Sequence, residues 1–238
     1  MHSESINNTT AYDAYFKAVM GTERARHTYL RRLETIENLA EGLEGKSVLD
    51  IGCGMGFRTA GIAKKGVKSI VGIDVDYERI RNANNFAGSL GINNISFLPM
   101  SAQFLAFPDG SFDLVIADEM IHHLEDLPAV LREVFRVIKR GGTIVISDHN
   151  KLSFFSELVR FIYFGSKREK LYSVYQIRRL FKETDFRDIR HKHILFTSPF
   201  SHTPHFLLKV NYMMEALIEI IPLLNLQCGV YVIRGVKK

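Results

Sequence analysis

The chain has 238 residues, 46% hydrophobic and 24% charged, which suits one large α/β domain with a sizeable core. Its two cysteines, Cys53 and Cys228, are too few for a disulfide framework, and no run of about 18 apolar residues is free of charge, so the disulfide-rich and membrane-spanning classes are set aside. The net charge of +5 is uneven: residues 1–150 carry 16 Lys/Arg against 19 Asp/Glu, and residues 151–238 carry 15 against 7, making the second part either a well-solvated basic surface or a patch for an anionic substrate, lipid headgroups or nucleic acid.

The opening stretch MHSESINNTTAYDAY is polar and carries acids, unlike a secretory or transit leader, and with the cysteine usage it points to a reducing, cytoplasmic setting. Residues 11–41 have helical spacing, with Leu30, Leu33, Ile36 and Leu39 at three-residue steps. From SVLDI onward the chain alternates. RTAGIAKKG reads as helix, SIVGID as strand, YERIRNANNFAGSLG as helix and NISFLP as strand. FDLVIAD follows as strand, LPAVLREVFRVIKRGG as helix and TIVIS as strand. Unbroken Val/Ile/Leu runs in such an alternation predict a parallel sheet covered on both faces.

Past Ser147 the regularity weakens. KLSFFSELVRFIYFG is apolar on nearly every side, SVYQIRRLFKETDF predicts an amphipathic helix, and RDIRHKHILF alternates like a strand. A second apolar helix is expected over roughly 205–221, and CGVYVIRGVKK ends the chain as a strand. The HKH at 191–193 resembles a metal pair, but on a strand it is expected on an exposed basic edge, and no metal site is anticipated.

The chemistry is concentrated in VLDIGCGMG, residues 48–56. A dinucleotide fingerprint requires Gly-x-Gly-x-x-Gly and an acid about twenty residues on. Gly52 and Gly54 fit, but the sixth position is Phe57; Gly56 comes one residue early and is read as serving loop–helix packing. Asp74, at the end of the second strand, supplies the acid, which can accept hydrogen bonds from both hydroxyls of a ribose. No Lys-Ser/Thr follows the loop, which excludes a P-loop. Asp50 would repel a diphosphate and attract an ammonium group, if it does not simply cap the next helix. A ribose, a close backbone approach and a cation together describe S-adenosylmethionine.

At this point the motifs carry a resemblance. VLDIGCGMG, IVGIDVD, FPDGSFDLVIADEMIHHLED and LREVFRVIKRGGTIVISD resemble, in order and spacing over about residues 45–148, the motifs of the class I S-adenosylmethionine-dependent methyltransferases, nearest the small-molecule group that includes quinone-biosynthesis enzymes. The resemblance implies an α/β fold with a Rossmann-like seven-stranded, mostly parallel sheet, helices on both faces and an antiparallel last strand supplied by CGVYVIRGVKK. An apolar helical insertion near 152–164 and 200–222 would shape the acceptor site. The whole forms one domain, with 1–44 as a helical cover in which Tyr12 or Tyr15 closes over the cofactor, 45–148 as the cofactor-binding core, and 149–238 as acceptor-site helices and final strands.

By position, the resemblance implies that Asp50 meets the methionine amino group, directly or through water, and that Gly52, Cys53 and Gly54 line the methionine portion. Asp74 would hold the ribose and Val75 would pack on adenine. Where the family has Gly-Asp-Ala, this chain has Met100-Ser101-Ala102-Gln103, so that Ser101 or Gln103 would supply a hydrogen bond beside Ala102. Ala117 and Asp118 would face the sulfonium and the acceptor. Cys53 reads as a small spacer.

Methyl transfer from a sulfonium is an in-line displacement, in which catalysis comes mainly from positioning and from excluding water. Phe154, Phe155, Phe161 and Phe164 are candidates for an apolar cover, or else belong to ordinary core or oligomer contacts. A base is needed only for a protonated acceptor, and the candidates are His149, His122, His123 and Asp148, after the fourth and fifth strands. The leading expectation is a small apolar or amphiphilic acceptor methylated on oxygen or carbon, by a monomer or homodimer with transient membrane-surface contact allowed. A nucleic-acid methyltransferase is disfavoured because ADEMIHHL stands where base-amine enzymes carry Asn/Asp-Pro-Pro-Tyr/Phe. A cofactor-binding protein without turnover and a nicotinamide dehydrogenase stand behind these.

Overall fold

A computed structural model describes residues 21–154, 170–196, 205–221 and 223–238. The strands are β1 (Ser47–Ile51), β2 (Ser69–Asp74), β3 (Ile95–Pro99), β4 (Phe112–Asp118), β5 (Ile138–His149), β6 (Phe186–Phe196) and β7 (Cys228–Lys237). They form one seven-stranded sheet in the order β3-β2-β1-β4-β5-β7-β6. From β3 to β5 the neighbours run parallel, while β7 is antiparallel to both β5 and β6, as expected of the last strand.

The helices are α1 (Glu23–Leu39), α2 (Phe57–Ala63), α3 (Tyr77–Ser89), α4 (Leu127–Val137), α5 (Val174–Glu183) and α6 (His205–Ile220). On one face of the sheet, Leu131 and Val134 of α4 and Ile177 and Phe181 of α5 pack on Leu49, Val115 and Ile146. On the other, Leu33 and Ile36 of α1 and Ile62 of α2 pack on Val48, Leu114, Ile116 and Val145. Alternate residues of β1, β4 and β5 are therefore buried in opposite directions, which is why these strands read as continuous apolar runs. Helix starts follow local chemistry: Asp76 accepts from Glu78 N and Arg79 N at α3, and Ser173 and Gln176 form a reciprocal capping box at α5.

Two boundaries differ from the sequence reading. The fourth helix ends at Val137, not at the glycines, because fully buried Ile138 already pairs with Phe112 and Lys139 Nζ reaches Asp113 at 2.9 Å. Gly141 and Gly142 then form an irregularity inside β5, where a Cβ on Gly142 would lie 2.7 Å from Ile138 Cγ2.

The HKH stretch does lie on the sheet's edge strand, but the expected exposure is corrected: His193 is only 4% exposed. It stands opposite Tyr231 of β7, and cross-strand neighbours share a face, here one covered by α5. Burial, with His191 adding to it, pushes the His193 imidazole down to about 4.

Tyr12, Tyr15, Phe155, Phe161 and Phe164 lie outside the described residues; Phe154 is described and exposed. Helix α6 turns its carboxylates inward, where Glu215 meets His27 at 3.0 Å and Glu219 meets Arg31 at 2.6 Å, while Met213, Leu217 and Ile220 face outward. No helix among the described residues is long and apolar enough to cross a membrane.

Candidate functional site

Strand order reverses between β1 and β4, and open α/β sheets bind ligands in the crevice beyond the carboxyl ends of their strands at such a point. The glycine loop occupies it. Gly52 N and Cys53 N both donate to Ile73 O, at 2.8 and 3.0 Å, and Gly54 N donates to Asp74 Oδ2 at 2.9 Å. The loop is thus fastened to the end of β2. Gly56 has φ 78°, and a Cβ there would lie 2.5 Å from the Phe97 ring and 2.9 Å from Ala83, which fits the packing role read from its spacing.

Asp50 sits beneath this loop, 5% exposed, where its Oδ2 accepts from Thr59 Oγ1 at 2.6 Å. Burial lifts its carboxyl to about 6, against the pull of Thr59 and Arg58. Of the contact expected of Asp50, direct or through water, the structure gives only the position: its carboxylate is buried, and Asp50 is not among the described residues that line the cavity. Nor does it cap α2, whose N-cap is Gly56 without a side-chain bond. Cys53 is half-buried, with a thiol pushed far up by burial, and Cys228 is buried elsewhere, so neither thiol is activated.

Above the loop lies a cavity of about 630 Å³. One end is walled by Asp74, Val75, Ser101, Ala102 and Gln103, the other by Gly52, Glu119, Met120 and His123. Val75 is exposed, a ready platform for a flat ring, and Ser101 Oγ accepts from Gln103 N at 3.3 Å. Among the described residues, four acids (Asp74, Asp76, Glu119 and Glu125) and one arginine (Arg79) line the space. Such a lining favours a cation and opposes a diphosphate.

Ala117 and Asp118 do not line the cavity, contrary to expectation. Ala117 is buried in the core on the α4 side, and Asp118 turns to the α1 side, where its Oδ1 accepts from Arg32 Nη1 at 3.0 Å and its Oδ2 pairs with Arg58. Glu119, at φ 53°, redirects the chain so that Glu119 and Met120 take the wall positions. Its carboxylate pairs with Arg32 at 2.8 Å and Arg58 at 3.3 Å. Although burial alone would raise it, these two cations hold it well below the usual carboxylate range. Arg32 and Arg58 carry no motif signal, although Arg58 directly follows the glycine loop.

The four candidate bases do come together. His122 is buried, and its Nδ1 lies 2.7 Å from Asp148 Oδ1. Its ring centroid lies 4.0 Å from that of His123, which is exposed and lines the cavity, and 5.4 Å from that of His149. His149 is half-exposed, 3.8 Å from Glu119, with an imidazole held below its ordinary value by partial burial and by Arg32. No cluster of three or more metal-ligating side chains occurs among the described residues.

A family profile described as a methyltransferase domain matches residues 43–179. An uncharacterized methyltransferase, YcgJ, of Bacillus subtilis is 38% identical over 102 residues, covering 43% of this chain and 40% of that protein. The ubiquinone biosynthesis O-methyltransferase of Paracidovorax citrulli is 35% identical over 121 residues, covering 50% of each. The chain thus spans half or less of the length of these curated relatives. In fold it is similar to the crystal structure of a Thermotoga maritima S-adenosylmethionine-dependent methyltransferase, a possible histamine N-methyltransferase, with a TM-score of 0.69 and 20% identity over 97% of this chain and 96% of that one.

Proposed function

The chain belongs to the S-adenosylmethionine-dependent methyltransferase family, and on that premise we propose that it transfers a methyl group to an oxygen or carbon of a small, apolar or amphiphilic acceptor. The observation that carries the reading is the set of acids at the cavity: Glu119 is paired with Arg32 and Arg58 and Asp76 with Arg79, which leaves Asp74 and Glu125 on the wall with buried Asp50 beneath the same loop. The cavity's volume of about 630 Å³ also falls within the usual range of small-molecule sites. When bound, the cofactor supplies a methyl group already activated by a positive sulfur.

In this reading Asp74 accepts from the ribose hydroxyls while keeping its bond to Gly54. Val75 and Ala102 contact the adenine, with Ser101 and Gln103 offering polar groups at its edge. Gly52, Cys53 and Gly54 border the amino-acid tail, whose ammonium is favoured by Asp50 from below. Met120 and Leu124 exclude water from the far wall. An apolar acceptor is supported by relatives named for sterol, phytyl-hydroquinone and ubiquinone methylation. A cytoplasmic setting and a monomer or homodimer complete the proposal.

Calorimetry tests the cofactor and a labelled-methyl assay tests turnover. S-adenosylhomocysteine is expected to bind and NADH to leave no heat; the reverse result overturns the reading. Binding without methyl transfer to any of a broad set of hydroquinones, catechols, sterols and amines returns the choice to a cofactor-binding protein.

A further inference from the structure

We infer that two copies of this chain pair through α6, face to face across a two-fold axis at Leu217. The pairing goes beyond the transferase reading and does not depend on it. For a surface helix, α6 is turned inside out. Both its carboxylates point inward: Glu215 is buried against His27 at 3.0 Å, and Glu219 takes Arg31 at 2.6 Å, Lys192 at 3.4 Å and Leu195 N at 3.3 Å. Every exposed residue described from Val210 to Leu224, by contrast, is apolar. Ion pairs hold this helix to α1 and β6, and its apolar stripe is left to meet something else.

Spacing and area identify the partner. Val210, Met213, Leu217, Ile220 and Leu224 follow at alternating steps of three and four, the spacing of a seam that receives another helix, and Met214 and Ile221 widen it. The set reads the same from either end. Met214 and Ile220, Met213 and Ile221, and Val210 and Leu224 lie at equal steps on either side of Leu217. A two-fold axis through Leu217 therefore lays the stripe antiparallel on its own copy, with Met213 opposite the partner's Ile221. These seven residues are 42–72% exposed. Together they present on the order of 700 Å², more than a monomer usually leaves in one apolar patch and close to each partner's share of a stable interface.

Charge points the same way. A stripe without charged side chains among its described residues meets its own copy with no like-charge repulsion, whatever the net charge elsewhere. A lipid surface fits it less well. Helices that lie on bilayers carry outward Lys and Arg beside the apolar face, whereas here Arg31 and Lys192 turn to buried Glu219 and His27 to buried Glu215. None of the seven residues lines the cavity, so the stripe is a surface separate from the cofactor site.

Sedimentation of the full chain tests the pairing. At about 10 μM protein, the wild type is expected at twice the 27.2 kDa of one chain. Leu217→Glu sets two carboxylates together on the axis and is expected to give the single-chain mass, with circular dichroism showing that the variant is folded. A second pair of variants reads the register. Position 213 of one copy faces position 221 of the other, while on one helix the two are two turns apart and out of reach. Met213→Lys with Ile221→Glu is therefore expected to dimerise and Met213→Lys with Ile221→Lys to stay single; equal masses for these two overturn the inference. A wild-type dimer that survives Leu217→Glu also overturns it, by placing the interface elsewhere. So does a single-chain wild type: pelleting with phosphatidylglycerol vesicles would then give the stripe to a bilayer, and no pelleting would give it to residues 155–169 or 197–204 of the same chain.

Discussion

Asp74 ties the glycine loop to β2 by accepting the Gly54 N–H at 2.9 Å, so the carboxylate assigned to the ribose is also the one that holds the loop in shape. Its other oxygen accepts from Asp76 N at 3.0 Å. With one oxygen replaced by an amide only one of these bonds survives, the Gly54 bond if the amide turns its oxygen there, at the expense of the Asp76 bond. Asp74→Ala is expected to weaken S-adenosylhomocysteine binding by roughly 10–150-fold, the worth of charge-assisted hydrogen bonds, and Asp74→Asn by less. Calorimetry of the two variants separates ligand contact from loop support: equal losses would point to the charge alone.

Asp50 is a charge held where it costs stability. Its folded pKa of about 6 lies above the ordinary 3.8, so the folded protein binds more protons between those values. Stability from this group is present below pH 4 and is lost as pH rises through 6. Asp50→Asn, which can still accept from Thr59, is expected to raise the stability of the ligand-free protein at pH 7 by about 1–3 kcal/mol. It should also weaken S-adenosylhomocysteine binding by about tenfold. Urea titrations from pH 4 to 8, with calorimetry at pH 7, check both directions.

The Arg32–Asp118 pair is buried on both sides. Removing one partner leaves the other charge uncompensated, so Arg32→Met is expected to cost about 3–5 kcal/mol. Arg32→Met with Asp118→Leu leaves Arg58 and Glu119 to neutralise each other and should recover most of that loss. A denaturant double-mutant cycle measures the coupling, and additive losses would refute it.

His193 makes the fold sensitive to acid. Its imidazole is depressed to about 4 while an unfolded histidine titrates near 6.5, so the unfolded chain binds the extra proton between those values. Stability is complete above about pH 6.5 and falls as pH drops toward 4, by at most about 3 kcal/mol. His193→Phe is expected to flatten this part of the profile; an unchanged slope in thermal melts would assign it to other groups.

The wall expected to hold the cofactor was legible in the sequence because most of its parts are local. A strand end, a glycine turn and an acid about twenty residues later fall within one β1–α2–β2 unit, where spacing along the chain fixes spacing in space. Gly52, Asp74 and Val75 border one cavity, which the Ser101–Gln103 stretch after β3 also lines. The fold was legible for the same reason, since two-sided burial leaves unbroken apolar runs in β1, β4 and β5.

What the tertiary structure alone decided lies where chain neighbours part company. His122 and His123 are adjacent and chemically identical, yet one is buried against Asp148 and the other lines the cavity, because a single 3₁₀ turn points consecutive side chains in different directions. Asp118 and Glu119 likewise divide, the first toward Arg32 and Arg58 and the second to the cavity wall. Arg32 and Asp118 are 86 positions apart and meet only because α1 packs across the sheet. A sequence pattern records which side chains a segment carries and their period; which distant charge a carboxylate meets depends on how whole elements pack, and no local spacing encodes that.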